Sequence, residues 1–186
     1  MGATYLSMQL RMTDRDAARA CLESLAAANP GAGLQFYVTE PIDNWLAIFP
    51  NFTPELERTA KTLSSRLDCL VLLLLSADED DLYLMFFRNG KQLPWFKVAV
   101  GRKRTGKERD KLAAKLDALA NVCDAVSRAK LVSILADATN VTFASDLRSA
   151  VCEIIGIRNA LTSFDYLRRG EHDGLETSGD PTLVPP

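Results

Sequence analysis

The stretch from Leu67 to Gly90 constrains this chain most. It opens on an unbroken apolar run, Cys69 to Leu75. The acidic loop Asp78-Glu79-Asp80-Asp81 follows, then a second apolar run, Leu82 to Phe87, closed by Arg88-Asn89-Gly90. Short apolar runs bounded by turn residues read as buried strands. Asn-Gly tolerates the positive φ of a tight hairpin turn, so the next reversal begins at Asn89. The two runs are therefore expected as adjacent antiparallel strands. Leu70–Leu75 is too apolar for a sheet edge, where unpaired backbone invites aggregation. Pairing with Leu82–Phe87 makes it an interior strand.

The residues ahead of this hairpin supply the other strands and two helices. Thr4–Arg11 alternates as a half-buried strand with Leu6, Met8 and Leu10 on one face. Thr13-Asp14-Arg15-Asp16 reads as a helix start with Thr13 as N-cap, and Ala18, Cys21, Leu22 and Leu25 form the buried stripe of a helix that Asn29-Pro30-Gly31 ends. Leu34–Glu40 and Asn44–Phe49 read as strands. In the second of these, Trp45, Ala47 and Phe49 share one face while Leu46 and Ile48 share the other. Phe52-Thr53-Pro54-Glu55 is a helix start with Thr53 as N-cap and Pro54 at the first helical position. Leu56, Ala60, Leu63 and Leu67 recur at helical spacing behind it. The order is strand, helix, strand, strand, helix, strand, strand. Its first six elements are those of a split βαβ, so the expected fold class is α+β, a ferredoxin-like (βαββαβ) sandwich. The second apolar run extends that sandwich, and Lys91–Val100 adds a short edge strand made irregular by Pro94.

The composition changes at Gly101. Residues 102–115 hold seven basic and two acidic residues, a local charge of +5. Helices are expected over 106–123 (Leu112, Leu116, Leu119 and Cys123 inward), 127–136, 145–155 with Gly156 as C-cap, and 158–168. The organisation expected is a sheet region over 1–100, an α-helical region over 101–170 packed on it as one continuous unit, and a disordered tail over 171–186, where the chain turns polar and proline-rich.

Composition narrows the function classes. A chain of 186 residues, 47% hydrophobic and 25% charged, is an ordinary globular sequence, and its net charge of -2 gives no reason to expect nucleic acid or an anionic membrane. The longest wholly apolar run falls far short of the roughly 20 residues that cross a bilayer. No basic region precedes an apolar one at the N-terminus, and Leu6 stands where a myristoylation motif needs Ser or Thr. Cys21, Cys69, Cys123 and Cys152 each stand alone among apolar residues, which suits buried free thiols in a reducing cytoplasm.

Two charged segments are candidate sites. Asp78, Asp80 and Asp81 are the natural ligands for a divalent cation, although the loop lacks the alternate spacing and distal Glu of an EF-hand. Its simpler reading is a solvated turn whose charges guard two sticky strands. Arg102, Lys103, Arg104 and Lys107 are the candidates for nucleic-acid or anion contact, with Trp95 and Phe96 just before them. Their simpler reading is a solvated helix N-terminus, although basic residues there oppose the helix dipole. His172, the single histidine, lies in the tail, so no Ser-His or Cys-His pair and no Cys/His zinc cluster is expected. No cofactor is expected, since no phosphate loop, dinucleotide fingerprint or nucleophile elbow is present.

Several pieces together resemble an uncharacterised family of bacterial proteins. They are Glu40-Pro41 ahead of Asn44-Trp45-Leu46-Ala47-Ile48-Phe49, then Leu63-Ser64-Ser65-Arg66-Leu67, Asp80-Asp81-Leu82-Tyr83-Leu84 and Asn89-Gly90-Lys91. Ile155-Gly156-Ile157-Arg158-Asn159-Ala160 and Phe164-Asp165-Tyr166-Leu167-Arg168-Arg169-Gly170-Glu171 are similar to the family's closing segment. The resemblance spans residues 34–171. It implies one continuous architectural unit in a bacterial cytoplasm, and it transfers no catalytic residue.

The expected function is a non-enzymatic bacterial protein–protein interaction or regulatory protein. It would be of the small acidic kind that binds a partner, as a toxin's immunity protein does. The partner expected is an unidentified protein or a second copy, with neither nucleic acid nor membrane. The alternative is a cation- or ligand-binding domain, or an enzyme, that uses the carboxylates of loop 78–81.

Overall fold

The computed structural model describes residues 4–120, 123–173, 175–176 and 180–184. In chain order the elements are β1 (Tyr5–Leu10), α1 (Arg15–Ala28), β2 (Phe36–Val38), β3 (Leu46–Pro50), α2 (Leu56–Arg66), β4 (Val71–Ala77), β5 (Asp81–Arg88), β6 (Lys91–Ala99), α3 (Lys107–Asp117), α4 (Ala125–Ala136), α5 (Ala144–Ile155), α6 (Phe164–Arg168) and β7 (Thr182–Val184). This is a mixed α+β fold. Its strands form one sheet in the order β6-β5-β4-β1-β3-β2-β7, and each strand runs antiparallel to its neighbours.

The apolar run that opens the hairpin lies inside the sheet. Strand β4 pairs along its length with β1 on one side and β5 on the other. Successive side chains of a strand point to opposite faces, so Val71 and Leu73 enter one apolar cluster while Leu70, Leu72 and Leu74 enter another. The first cluster is closed by Ala18, Leu22 and Leu25 of α1 and by Leu56, Ala60 and Leu63 of α2. The second is closed by Leu112 and Leu116 of α3, Leu131 and Leu135 of α4, and Leu147 and Val151 of α5. Helices thus cover both faces. Asn89 and Gly90, both at positive φ, turn β5 into β6, with Arg88 opposite Lys91.

Several local expectations need correction. The N-cap of α1 is Asp14, not Thr13: its Oδ1 accepts from the Ala17 N–H at 2.9 Å, and a carboxylate also meets the positive end of the helix dipole. Helix α2 starts at Leu56, because Thr53 Oγ1 accepts from the Glu55 N–H at 3.1 Å and holds Thr53-Pro54 in a turn ahead of it. Strand β1 is not half-buried. Ser7 and Gln9, on the face assigned to water, are as buried as Leu6 and Met8.

The tail expected to be disordered over 171–186 contributes a strand. Phe36, Tyr37 and Val38 of β2 pair with Val184, Leu183 and Thr182 of β7, and Val184 is fully buried. The open backbone groups on the outer side of β2 accept a short branched segment, and Arg15 fastens it by donating to Thr182 Oγ1 and to the Val38 carbonyl. Of the remaining expectations, residues 121–122 of the helix proposed over 106–123, residues 174, 177–179 and 185–186 of the tail, and residues 1–3 lie outside the described residues.

Helix α5 ends at Gly156 in the left-handed conformation, φ 79°, where its N–H reaches the Glu153 carbonyl. Beyond its own helix and chain neighbours, no described atom lies within 4 Å of the position a Cβ would take there, so Gly156→Ala tests backbone strain alone. It is expected to cost about 1–2 kcal/mol in denaturant unfolding. Leu74→Ala, in the twice-covered strand, is expected to cost about 2–5 kcal/mol by the same measurement. A loss below about 1 kcal/mol at Leu74 would contradict the two-sided burial of β4.

Candidate functional site

The acidic turn is a structural joint. Asp78 and Glu79 both have positive φ, and the Asp80 N–H closes the turn on the Ala77 carbonyl. That geometry turns Glu79 toward α5. Its Oε2 accepts from the N–H (3.1 Å) and Oγ (2.9 Å) of Ser145, while its carbonyl accepts from the Ala144 N–H. A side chain from the hairpin therefore caps a helix that lacks a cap of its own, since the residue before it is Phe143. Asp81 points elsewhere and pairs with Lys97 across the β5–β6 ladder at 2.8 Å. That carboxylate, with the Tyr83 hydroxyl assisting, holds the Lys97 ammonium above its ordinary pKa. Asp78 and Asp80 are exposed. Among the described residues, no three His, Cys, Asp or Glu side chains converge as a metal group, here or elsewhere.

The basic segment is mostly occupied. Arg102 pairs with Glu108 at 2.8 Å and Lys103 with Asp137 at 2.9 Å. Hydrogen bonds from Thr139 and Lys103 hold the Asp137 carboxyl down at about 2. Arg104 donates to the Leu135 carbonyl at 2.6 Å and to the Lys97 carbonyl, and its backbone N–H donates to the Ala136 carbonyl. Burial depresses the Arg104 guanidinium, with Arg102 adding repulsion and Glu108 opposing both. Seen from α3 these cations stand at the wrong end of a helix. Lys103 and Arg104 instead meet the C-terminal end of α4, whose unsatisfied carbonyls and negative dipole end favour them. Lys107, the first residue of α3, is exposed. The four cations do not line one common surface recess: only Arg104 shares a recess with Lys97, Lys111 and Lys115.

A third feature was not anticipated. Arg148, on the inner face of α5, is fully buried, and no carboxylate among the described residues faces it. Its Nη1 donates to the carbonyls of Tyr5 (2.8 Å) and Leu74 (3.2 Å), and its Nη2 donates to Ser7 Oγ (2.6 Å). Gln9 Nε2 donates to the same Ser7 Oγ and to the Asn159 carbonyl. Burial lowers the guanidinium to about 10, so it remains a cation at neutral pH. The polar face of β1 thus forms a seam between the cluster under α3–α5 and a smaller one where Leu167 of α6 meets Ala47 and Phe49. The thiol of Cys152 on α5 is pushed up to about 11 by burial, with Arg148 opposing, and stays protonated.

An apolar recess opens where β1 and β3 separate. Their pairing runs from Leu10–Leu46 to Met8–Ile48 and stops. Continued in register it would set Leu6 against Pro50, which has no N–H to donate. Both residues instead line a cleft of about 420 Å³, together with Phe52, Leu75 and Ala77 and, from the start of α6, Ser163, Phe164 and Asp165. Asp78 and Thr4 complete the rim. Phe52 is 74% exposed at its mouth, and Phe143, just past the acidic turn, is 51% exposed. All four cysteines are free thiols, and no described helix is long and apolar enough to cross a membrane.

Comparison with known proteins finds no matching family model, curated protein or solved structure. The cleft and the seam therefore rest on their own geometry.

Both features had partial signals in the chain. Arg148 lies on the stripe Ala144, Leu147, Val151, Cys152, at a spacing that turns it inward. Phe52 is an aromatic in an otherwise polar turn, ahead of Thr53-Pro54. What the chain does not display is the separation of β1 from β3, which depends on residues 44 positions apart.

Glu79→Ala is expected to cost about 1–2 kcal/mol in thermal unfolding, because it removes the cap of α5, whereas Asp80→Ala stays within about 0.5 kcal/mol. Equal effects would return the loop to a purely solvated role. Arg148→Met keeps the side-chain volume and removes the buried cation. It is expected to exceed Arg148→Ala in stability by about 2 kcal/mol, since the alanine adds a cavity. Equal midpoints in urea unfolding for the two variants would mean that the seam collapses around any loss.

Proposed function

We propose that this is a non-enzymatic bacterial interaction or regulatory protein acting in the cytoplasm, and that it binds a partner protein through the cleft between the ends of β1 and β3. One observation carries this reading: Phe52 is three-quarters exposed at the mouth of an apolar cleft whose floor is Leu6, Leu75, Ala77 and Phe164. Exposed apolar surface rimmed by polar groups is where soluble proteins meet partners, and aromatic side chains dominate such contacts. The free thiols support a reducing compartment.

We also read the central β4-β1-β3-β2 strands as a ferredoxin-like core. The support is that α1 joins β1 to β2, α2 joins β3 to β4, and both helices lie in the same apolar cluster on one face. On that reading β5 and β6 widen the sheet, and the helices from residue 101 on form one unit with it.

A photo-crosslinking residue in place of Phe52, introduced in the source cell, tests the interaction. A discrete covalent adduct is expected at position 52 and not at exposed Lys107. Identical adduct patterns at the two positions, or none at position 52, would overturn the assignment of the cleft.

A further inference from the structure

The cleft's charge is one-sided. Of its lining residues Asp78 and Asp165 carry charge and both are exposed, and among the described residues no lysine, arginine or histidine lines it. Neither carboxylate has an ion-pair partner within 4 Å among the described residues, although Arg169 lies within electrostatic reach of Asp165, whereas Asp81, Glu108 and Asp137 elsewhere on the surface are each paired with a cation. Asp78 takes a left-handed backbone, φ 51°, and Asp78 and the nearby Asp80 are both exposed. The floor is aliphatic and aromatic, and its volume of about 420 Å³ falls within the range of about 300–1,000 Å³ over which recesses bury a ligand.

We propose that the cleft takes a basic segment of the partner protein, with an apolar side chain seated against Leu6, Leu75 and Phe164 and with Lys or Arg residues meeting Asp78 and Asp165. This rests on the reading of the cleft as the partner-binding surface and names the chemistry of what enters it. The apolar anchor supplies affinity by leaving water. The two unpaired carboxylates supply specificity, because an acidic segment in the same place would set like charges together.

Fluorescence anisotropy with the full chain and three labelled peptides tests this. One peptide carries Lys and Leu, one carries Glu at every Lys position, and one keeps Lys but has Gly at every Leu position. The Lys–Leu peptide is expected to bind at least about tenfold more tightly than either of the others, and to weaken as salt rises. Asp78→Asn with Asp165→Asn is expected to erase the preference for Lys over Glu while leaving residual binding; Asn tolerates the backbone at position 78. Phe52→Ser is expected to weaken all binding, and Lys107→Glu none of it. If the Glu–Leu peptide binds equally well and still depends on Phe52, the basic partner is wrong and the cleft reading stands. If binding is indifferent to Phe52, the cleft reading falls with it. A dimer in sedimentation that Phe52→Ser converts to monomer would make the occupant a second copy, and would overturn the basic segment. No binding by any peptide also overturns it, leaving the crosslinking at Phe52 to decide the cleft.

Discussion

Strand β4 offers water no polar face from Val71 to Leu74, and the fold depends on that. Val71 and Leu73 bury against α1 and α2 while Leu72 and Leu74 bury against the later helices. An element of this kind requires a layer on each side and a strand on each edge. One face is served by helices that precede β4 in the chain, and the other by helices that follow β6. The hairpin β5–β6 and the segment beyond residue 101 are thus demanded by the same strand. Glu79 ties the two together, because the turn that closes the hairpin also caps α5.

Strand β1 meets the opposite condition. Its alternation supplies one apolar face and one polar face, Tyr5, Ser7 and Gln9, and the sheet is nonetheless covered on both. A buried polar group must be hydrogen-bonded. Arg148 and the Asn159 carbonyl answer that need from α5 and from the chain following it. A guanidinium suits the place because it spreads its donors over two strands at once, reaching the Tyr5 carbonyl on β1 and the Leu74 carbonyl on β4. Replacing such a group by apolar residues often leaves stability unchanged or improved. Here it ties α5 by hydrogen bonds to both β1 and β4.

The elements were largely legible because periodicity is local. The two faces of Trp45–Phe49, the stripe Leu56-Ala60-Leu63, the Asn89-Gly90 turn and the Gly156 cap each follow from neighbours within a few residues. The misreadings came where a distant segment intervened. Ser7 and Gln9 looked solvated until α5 covered them. Lys103 and Arg104 looked misplaced at a helix start until the end of α4 came beside them. Thr182–Val184 looked unstructured until β2 offered an edge. Of the candidate ligands Asp78, Asp80 and Asp81, Asp81 pairs with Lys97 and the other two are exposed, while Glu79 between them caps α5. The cleft was the least legible feature, since it exists where a pairing fails.

By itself the amino-acid sequence determined the strands and helices from Tyr5 to Ala99, that Leu70–Leu75 is interior, and that the chain carries a small net negative charge. These follow from side-chain chemistry read at a period of two or 3.6 residues. The tertiary structure decided that the sheet is buried on both faces, that an arginine without a carboxylate holds α5 to β1 and β4, and that Phe52, Asp78 and Asp165 surround one apolar opening. Those outcomes depend on which distant backbone groups meet and where a proline stops them from meeting, and no local pattern records that.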